Sequence, residues 1–272
     1  ITLPSPQQDA AVAVRADTKN RTVTVSTPSG SILDIGSEAY YEGPEPAIFV
    51  SDGVDWYVQN DEQQLGAAIP DTGEYQWYID EGGGTTLNPD VGAVSATITG
   101  ASWVSDPDAV REYHLSHDGS GDYWQTDSAV LSTPFSVGGW IRFDDMTSFD
   151  NTVIGVGGTS TGNRLGANGD GALLTAFGGS SFIRGHQFPS VGNWGFFALN
   201  FESDQHRLIT WSNTQELADT TNSNGQTESD ELLTVGMSMD GGLAGDSDFF
   251  VVQEGSLITK SEWTDLWQAT QR

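Results

Sequence analysis

The sequence predicts an all-β protein, and the placing of turn residues and apolar residues is the basis for that prediction. Glycine is abundant, with 33 residues, and together with Asn, Asp and Ser it interrupts the chain at short intervals. Between these interruptions apolar and polar residues alternate, which places every second side chain on the same face of a strand. In segment 135–143 the alternation puts Phe135, Val137, Ile141 and Phe143 on one face, and Ser136, Trp140 and Arg142 on the other.

The same patterns predict the remaining elements. Residues 21–25 alternate, and two apolar segments at 47–50 and 56–58 flank an Asp-Gly pair, which is a strong hairpin signal. Residues 194–201 are apolar on both faces, as expected of a central strand that is covered on both sides. Further strands are expected at 206–211, 232–235 and 249–252.

One helix is expected, near the end of the sequence. Residues 259–262 read Thr-Lys-Ser-Glu and match a capping box, in which the first and last side chains each bond a backbone N–H at the other position. Trp263, Leu266 and Trp267 follow at the i, i+3, i+4 spacing that gathers side chains on one helix face. We therefore expect this helix to pack against the sheets.

The charge balance is strongly acidic. The chain has 38 Asp and Glu residues against 10 Lys and Arg, a net charge of −28, while 9 Trp, 12 Phe and 7 Tyr argue against disorder. Asp outnumbers Glu by 25 to 13, and Arg outnumbers Lys by 8 to 2. Such a surface repels itself at low salt and is tolerated where the screening length falls to about 3 Å, at molar ionic strength. We predict a halophilic protein, with an ordinary acidic secreted protein as the alternative.

The composition also disfavours several functions. There is no basic patch to neutralise phosphates, so neither nucleic acid nor anionic lipid is an expected partner. No apolar run reaches the about 18 residues of a membrane span, so membrane insertion is not expected. Cysteine is absent, so stability must come from the core, bound ions or partners. Because the sequence starts at Ile1 rather than Met, we expect that an N-terminal segment was processed or left out.

Six segments follow one another in order between residues 75 and 272. They comprise a first strand and Gly-rich turn (77–86), a second strand (97–104), a strand with an Asp-Gly turn (113–123), the strands at 135–143 and 194–201, and the last strand with its helix (243–267). In this order they resemble concanavalin A-like and laminin-G-like domains. This resemblance implies a jelly-roll β-sandwich over residues 75–272, preceded by a small N-terminal β-rich region at 1–74. The family's usual Phe before Asp-Gly is replaced by His117, and the usual histidines near Trp194 are missing.

The resemblance also implies a set of ligands. A structural Ca²⁺ is often held in this family near the Asp-Gly turn and the start of the last strand, which by position implicates Asp118, Asp122, Asp246 and Asp248. Hard cations prefer such oxygen ligands, but turn-forming surface carboxylates are an equal alternative. Sugar binding is the family's commonest use. Trp140 and Arg142 share a strand face and are the predicted ligand-binding pair, unless a second layer covers Trp140.

Catalysis is not expected. Enzymes of this fold place two carboxylates on alternate positions of one strand, and a retaining pair lies about 5–5.5 Å apart. The nearest strings are Glu228-Ser229-Asp230-Glu231, in a polar loop, and Asp246-Ser247-Asp248, which lacks a following Glu. The four histidines form no spaced metal motif, and no nucleophile elbow is present. A glycoside hydrolase of this fold stays the minor alternative.

The functional hypothesis is therefore adhesion. Residues 51–57 resemble the D-G-x-x-W hairpins of viral fibre and virion surface proteins, although a plain hairpin with a core Trp is an equal reading. We expect a non-catalytic carbohydrate-binding protein at the virion surface (turret, fibre or tail) of a haloarchaeal virus, acting in host attachment. Residues 1–74 would contact other virion proteins or like copies in a homo-oligomer, and host cell-surface glycans would be the ligand. A secreted or cell-surface haloarchaeal adhesion protein is the alternative, so the expected location is the virion surface or the extracellular space.

Overall fold

The protein divides into two compact units, residues 1–70 and residues 71–272. The structure, a computed structural model, describes residues 72–271 except 108, 148–150, 158–162, 168, 178–180, 224–227 and 239–240. In the first unit it describes the backbone of five strands. No helix in the described part of the chain is long and apolar enough to cross a membrane.

The first unit contains two small antiparallel sheets. Its strands are β1 (Gln8–Val14), β2 (Val23–Ser26), β3 (Glu38–Tyr41), β4 (Ala47–Asp52) and β5 (Trp56–Val58). Strand β4 lies between β1 and β5, and β2 pairs with β3. The predicted hairpin is confirmed as β4–β5, with Ser51 opposite Trp56, while its turn at 53–55 lies outside the described residues. The predicted strand at 21–25 is observed slightly later, as β2.

The second unit is built almost entirely of strands. In chain order they are β6 (Tyr75–Trp77), β7 (Thr86–Leu87), β8 (Ala96–Thr99), β9 (Ser102–Ser105), β10 (Tyr113–Asp118), β11 (Tyr123–Thr126), β12 (Phe135–Phe143), β13 (Thr152–Val156), β14 (Arg164–Ala167), β15 (Leu173–Phe177), β16 (Ser181–His186), β17 (Trp194–Phe201), β18 (His206–Trp211), β19 (Glu216–Asn222), β20 (Leu233–Val235), β21 (Met237–Ser238), β22 (Gly241–Gly242) and β23 (Ala244–Glu254), followed by helix α1 (Lys260–Ala269).

Sixteen of these strands form two eight-stranded antiparallel sheets, and β21 pairs with β22 in a separate two-stranded sheet. Sheet I has the order β19-β18-β17-β12-β23-β10-β9, with β6 also paired to β23, and sheet II has the order β16-β15-β14-β13-β20-β11-β8-β7. Strands that neighbour each other in space but not in sequence, such as β12 and β23, are the mark of a jelly-roll sandwich. The all-β jelly-roll prediction is confirmed.

The core lies between the two sheets and takes residues from strands of both, such as β12 and β17 of sheet I and β11 and β13 of sheet II. Phe135, Val137, Ile141 and Phe143 of β12 all belong to it, as the alternation in the sequence predicts. Strand β17 lies between β12 and β18 and is buried along nearly its whole length, because Phe197, Leu199 and Phe201 enter the core on one face and Trp263 packs on Phe196 on the other, which confirms the prediction of a central strand.

A β-bulge in β23 allows two strands to share one edge. Phe249 has a positive φ of 26° and is the extra residue, since Gly139 of β12 lies opposite Phe250 while Trp140 lies opposite Asp248. On one side of the bulge β23 pairs with β6, and on the other side it pairs with β10. A Cβ at Gly139 would lie 2.6 Å from the Phe249 carbonyl oxygen, so the bulge needs glycine there.

Helix α1 covers the outer face of sheet I with a second aromatic layer. Trp263 packs on Phe196 and on the backbone of Gly138, where a Cβ would lie 2.6 Å from the indole ring. Trp267 stacks on Trp211 at 6.1 Å between ring centroids. The predicted helix and its buried face are therefore confirmed. The aromatic layer lies on the outer face of sheet I and is separate from the core between the two sheets.

The predicted capping box is also confirmed and can be tested. Thr259 accepts a hydrogen bond from the Glu262 backbone N–H, and Glu262 accepts one from the Thr259 backbone N–H at 2.7 Å. We expect Thr259→Ala to lower the free energy of unfolding by about 1 kcal/mol, because one end of this pair is lost. Urea unfolding measures it, with exposed Ser261→Ala as the control; equal effects for the two would contradict the cap.

Candidate functional site

The outer face of sheet I holds a cleft at the end where β12 stops and β17 begins. It has a volume of about 600 Å³, within the usual range for ligand sites. Its lining comes from the β9–β10 connection, β12, the segment before β17 and the β18–β19 turn. The lining residues are Asp106, Arg142, Pro189, Ser190, Gly192, Asn193, Trp194, Ser212, Asn213 and Thr214. We call it the Trp194 cleft.

Trp194 and Arg142 form one wall of the cleft. They lie opposite each other in the β12–β17 pairing, so their side chains emerge side by side on the outer face. The guanidinium carbon lies 5.0 Å from the centroid of the Trp194 ring, in a cation–π arrangement. Residues 194–201 were expected to be covered on both faces, but Trp194, the first of them, is only half-buried and lines the cleft.

Asp246 anchors this wall from beneath. It is 3% exposed, and its Oδ2 accepts a hydrogen bond of 2.6 Å from Nε of Arg142, with Nη2 also in contact. Its Oδ1 lies 3.3 Å from Nε2 of His114. Burial alone would raise the pKa of Asp246, but the contact and charge of His114, and then those of Arg142, hold it below its ordinary value. Asp246 is therefore an ionised partner of Arg142.

His114 connects Asp246 to Asp106 at the cleft surface. The imidazole is 2% exposed, and its Nδ1 lies 3.4 Å from Oδ2 of Asp106. Both nitrogen–oxygen separations are long for hydrogen bonds, so these contacts are chiefly electrostatic. The edge of the ring meets Trp194 at 5.5 Å between centroids. A continuous cluster therefore runs from Asp106 through His114 and Asp246 to Arg142.

The rim of the cleft consists of short polar loops fixed by their own hydrogen bonds. Asn193 donates through Nδ2 to the carbonyl and hydroxyl oxygens of Ser190. Ser212 accepts from the backbone N–H groups of Thr214 and Gln215, and its carbonyl oxygen accepts from the indole N–H of Trp267. Because the rim is bonded to α1, it is pre-organised before any ligand arrives.

The predicted pair Trp140 and Arg142 is only half present at this site. Trp140 is fully buried, donates through Nε1 to Oγ1 of Thr270 at 2.7 Å and packs edge-on against Phe196. A second layer therefore covers Trp140, which is the alternative that the sequence left open. The prediction of Trp140 as a ligand-binding residue was wrong. A ligand cannot reach Trp140 because α1 covers this part of the outer face of sheet I.

The four predicted calcium ligands are not gathered around one point. Asp118 accepts from the Ser120 backbone N–H, and Asp122 accepts from the Asp118 backbone N–H at 3.0 Å, so both stabilise the turn. Asp246 accepts a hydrogen bond from Arg142 and contacts His114. Asp248 is fully buried and accepts from the backbone N–H groups of Val110 and Phe249.

No cluster of three or more metal-ligating side chains occurs among the residues that the structure describes. The carboxylates put forward for calcium are engaged by a guanidinium and by backbone N–H groups, which a cation would have to displace. These residues do not fit a Ca²⁺ site, and that prediction is corrected.

The other acidic string lies away from the Trp194 cleft. Glu228 is 7% exposed and accepts from Nδ2 of Asn163 at 2.8 Å, which joins the β13–β14 loop to the segment before β20. Burial, with the charge of Glu231, raises the pKa of Glu228 to about 7. Within the described lining of the cleft, Asp106 is the one carboxylate, so that lining does not contain the pair that a retaining glycosidase uses.

Comparison with known proteins identifies the fold. No protein-family model and no curated protein matches the sequence. Among solved structures, domain 4 of AbnA, a GH43 extracellular arabinanase from Geobacillus stearothermophilus in complex with arabinotriose, is similar with a TM-score of 0.53 at 18% identity, covering 71% of this chain and 97% of that domain. A Trypanosoma rangeli sialidase is similar with a TM-score of 0.54 at 11% identity, covering 90% of this chain and 53% of the sialidase. The sandwich is of the concanavalin A-like jelly-roll type.

Proposed function

We propose that this protein binds carbohydrate without catalysis, through the Trp194 cleft. The observation that carries the proposal is an aromatic wall beside fixed polar groups. The C–H face of a sugar ring packs on an indole, while its hydroxyls pair with flanking carboxylate, amide and hydroxyl groups. Trp194, Asp106 and Asn193 offer this combination. The arabinanase domain that shares the fold is itself in complex with arabinotriose, which supports the same class of ligand.

Removal of the aromatic wall tests the proposal. We expect Trp194→Ala to weaken glycan binding at least about tenfold, because a central Trp supplies more than about 1.4 kcal/mol at a binding site. A glycan array in molar salt finds the ligand, and titration calorimetry then measures the affinity. Trp103→Ala is the matched control, since Trp103 is also half-buried but packs against the core. Equal affinity of the Trp194→Ala variant and the parent protein would contradict the proposal.

The non-catalytic part of the proposal has its own test. Asp246 is held by Arg142 and His114, and Asp106 is the one described carboxylate of the lining, so no second carboxylate there is placed to act with it. We expect a bound oligosaccharide to be recovered intact after prolonged incubation, as measured by the release of reducing ends. Turnover would favour the alternative, a glycoside hydrolase of this fold.

We further propose a setting for this binding activity, namely host attachment at the surface of a haloarchaeal virus. The net charge of −28 supports a high-salt environment, and the compact unit 1–70 supplies a separate body for contacts with virion proteins or with other copies. A secreted or cell-surface haloarchaeal adhesion protein is the alternative. Sedimentation of the protein with purified virus particles supports the first setting, and its recovery solely as a free monomer contradicts it.

A further inference from the structure

We infer that the Trp194 cleft takes an uncharged glycan rather than one bearing carboxylate or sulfate groups. This inference rests on the proposed function and deepens it. It comes from the charges that line the cleft and from the groups with which they are already paired.

The positive charge of Arg142 is already paired with a carboxylate of the protein. Among the described lining residues Arg142 is the one cation, and its Nε and Nη2 both point to Oδ2 of Asp246 beneath the cleft. Two donors of the guanidinium fork are therefore committed to a protein carboxylate. A ligand carboxylate or sulfate would have to compete with Asp246, which is fixed and almost fully buried.

The carboxylates near Arg142 leave no excess of positive charge at the cleft. Asp106 is 17% exposed at the cleft surface and faces His114 from the other side of the imidazole. The two carboxylates, Asp106 and Asp246, outnumber the single guanidinium of Arg142. An anionic sugar would thus lose water next to Asp106 without gaining an uncompensated cation, which is unfavourable.

Uncharged sugars meet no such penalty. Hydroxyl groups donate to the Asp106 carboxylate, and the rim offers neutral partners in Ser190, Asn193 and Thr214. The chain-wide charge of −28 repels anions further at low salt. In molar salt that long-range part is screened over about 3 Å, so a preference that persists there comes from the cleft itself.

The experiment compares matched pairs of oligosaccharides, each a neutral sugar and its uronic acid or sulfated form, with the full chain in molar potassium chloride. We expect the neutral member of a pair that binds to bind at least tenfold more tightly. Equal affinity, or tighter binding of the anionic member, overturns the inference while leaving carbohydrate binding intact. Binding of no glycan of either kind overturns the proposed function and this inference with it.

Two variants test the cause of the preference. Asp246→Asn leaves Arg142 without its counter-charge, and we expect the neutral-to-anionic affinity ratio to fall at least tenfold. Asp106→Asn removes the carboxylate at the cleft surface while keeping both Asp246 and Arg142, and it should lower the ratio in the same direction. Asp204→Asn is the matched control, because Asp204 is exposed in the turn at the other end of β17. A ratio unchanged in Asp106→Asn and in folded Asp246→Asn would contradict the assigned cause.

Discussion

Replacing Trp263 with Ala is expected to lower the free energy of unfolding by about 3–5 kcal/mol, the usual cost of truncating a buried aromatic residue. Trp263 is fully buried between α1 and sheet I, in edge contact with Phe196 at 6.0 Å. Its Nε1 also donates to Oδ1 of Asn200 at 2.9 Å, so the truncation removes a buried hydrogen bond together with the packing. The cavity cannot close easily, because Gly138 has no side chain to fill it.

Urea unfolding at fixed salt measures this loss. Gln268→Ala is the control on the same helix, since Gln268 is exposed on the opposite face and should change stability by less than about 0.5 kcal/mol. A loss below about 1 kcal/mol in Trp263→Ala would contradict the second aromatic layer, because so small a change is typical of surface substitutions. That layer also covers Trp140 and supports Ser212 at the cleft rim.

Acidification from pH 6.5 to pH 4 is expected to destabilise the protein by a few kcal/mol, through two buried histidines. Burial lowers the pKa of His117 to about 4, although the Asp122 carbonyl partly opposes this. Burial also lowers the pKa of His186 to about 4, with the charge of Asp219 opposing. In the unfolded chain both side chains take up protons near pH 6.5, whereas in the folded protein they do not. Each pKa unit of difference is worth about 1.4 kcal/mol, so stability is full above pH 6.5 and falls towards pH 4.

One carboxyl group acts in the opposite direction. The raised pKa of Glu228, about 7, means that its folded form holds a proton that the unfolded form releases above about pH 4.5. Glu228 therefore adds stability at low pH and loses that contribution as pH rises from 4.5 to 7. Two histidines oppose this single group, so the net expected change on acidification is a loss.

The histidine prediction is tested with His117→Gln. An amide can replace the bond to Oγ of Ser247, which His117 makes through Nε2 at 2.9 Å, but it does not titrate. We expect this substitution to remove most of the net fall in unfolding free energy between pH 6.5 and 4, because the raised pKa of Glu228 already offsets about one of the two histidine contributions. His186→Gln should have a similar effect. Denaturation at constant ionic strength measures both. A pH profile of the parent protein that is flat, or that the two substitutions leave unchanged, would contradict this account.

Local patterns in the sequence predicted the fold well because they are properties of neighbouring residues. The alternation in 135–143 gave the core face of β12, and the capping box gave the start of α1. The bulge at Phe249 was not predictable in this way. It lies in the pairing of β23 with β12 and separates the stretch of β23 that pairs with β6 from the one that pairs with β10, and all of these strands come from distant parts of the chain.

The site was predicted only in part for the same reason. The outward direction of Arg142 could be predicted because it follows from the alternation along β12, and the structure places it in the cleft lining. Trp140 points to the same face, but whether that face is open depends on a helix that begins more than a hundred residues later. Asp106 and His114 were missed, since their link to Asp246 exists only after β10 and β23 pair. Asp246 was singled out from the sequence, but as a calcium ligand, because its pairing with Arg142 and His114 depends on contacts between strands.

The structure of the protein with a bound oligosaccharide tests the central claim most directly. Once the glycan array has supplied a ligand, its position is determined by crystallography in molar salt. Our account predicts a sugar ring packed against Trp194, with hydroxyl groups bonded to Asp106 and to the rim at Asn193. A ligand seated on the outer face of sheet II, around Tyr123 and Gln125, would contradict it.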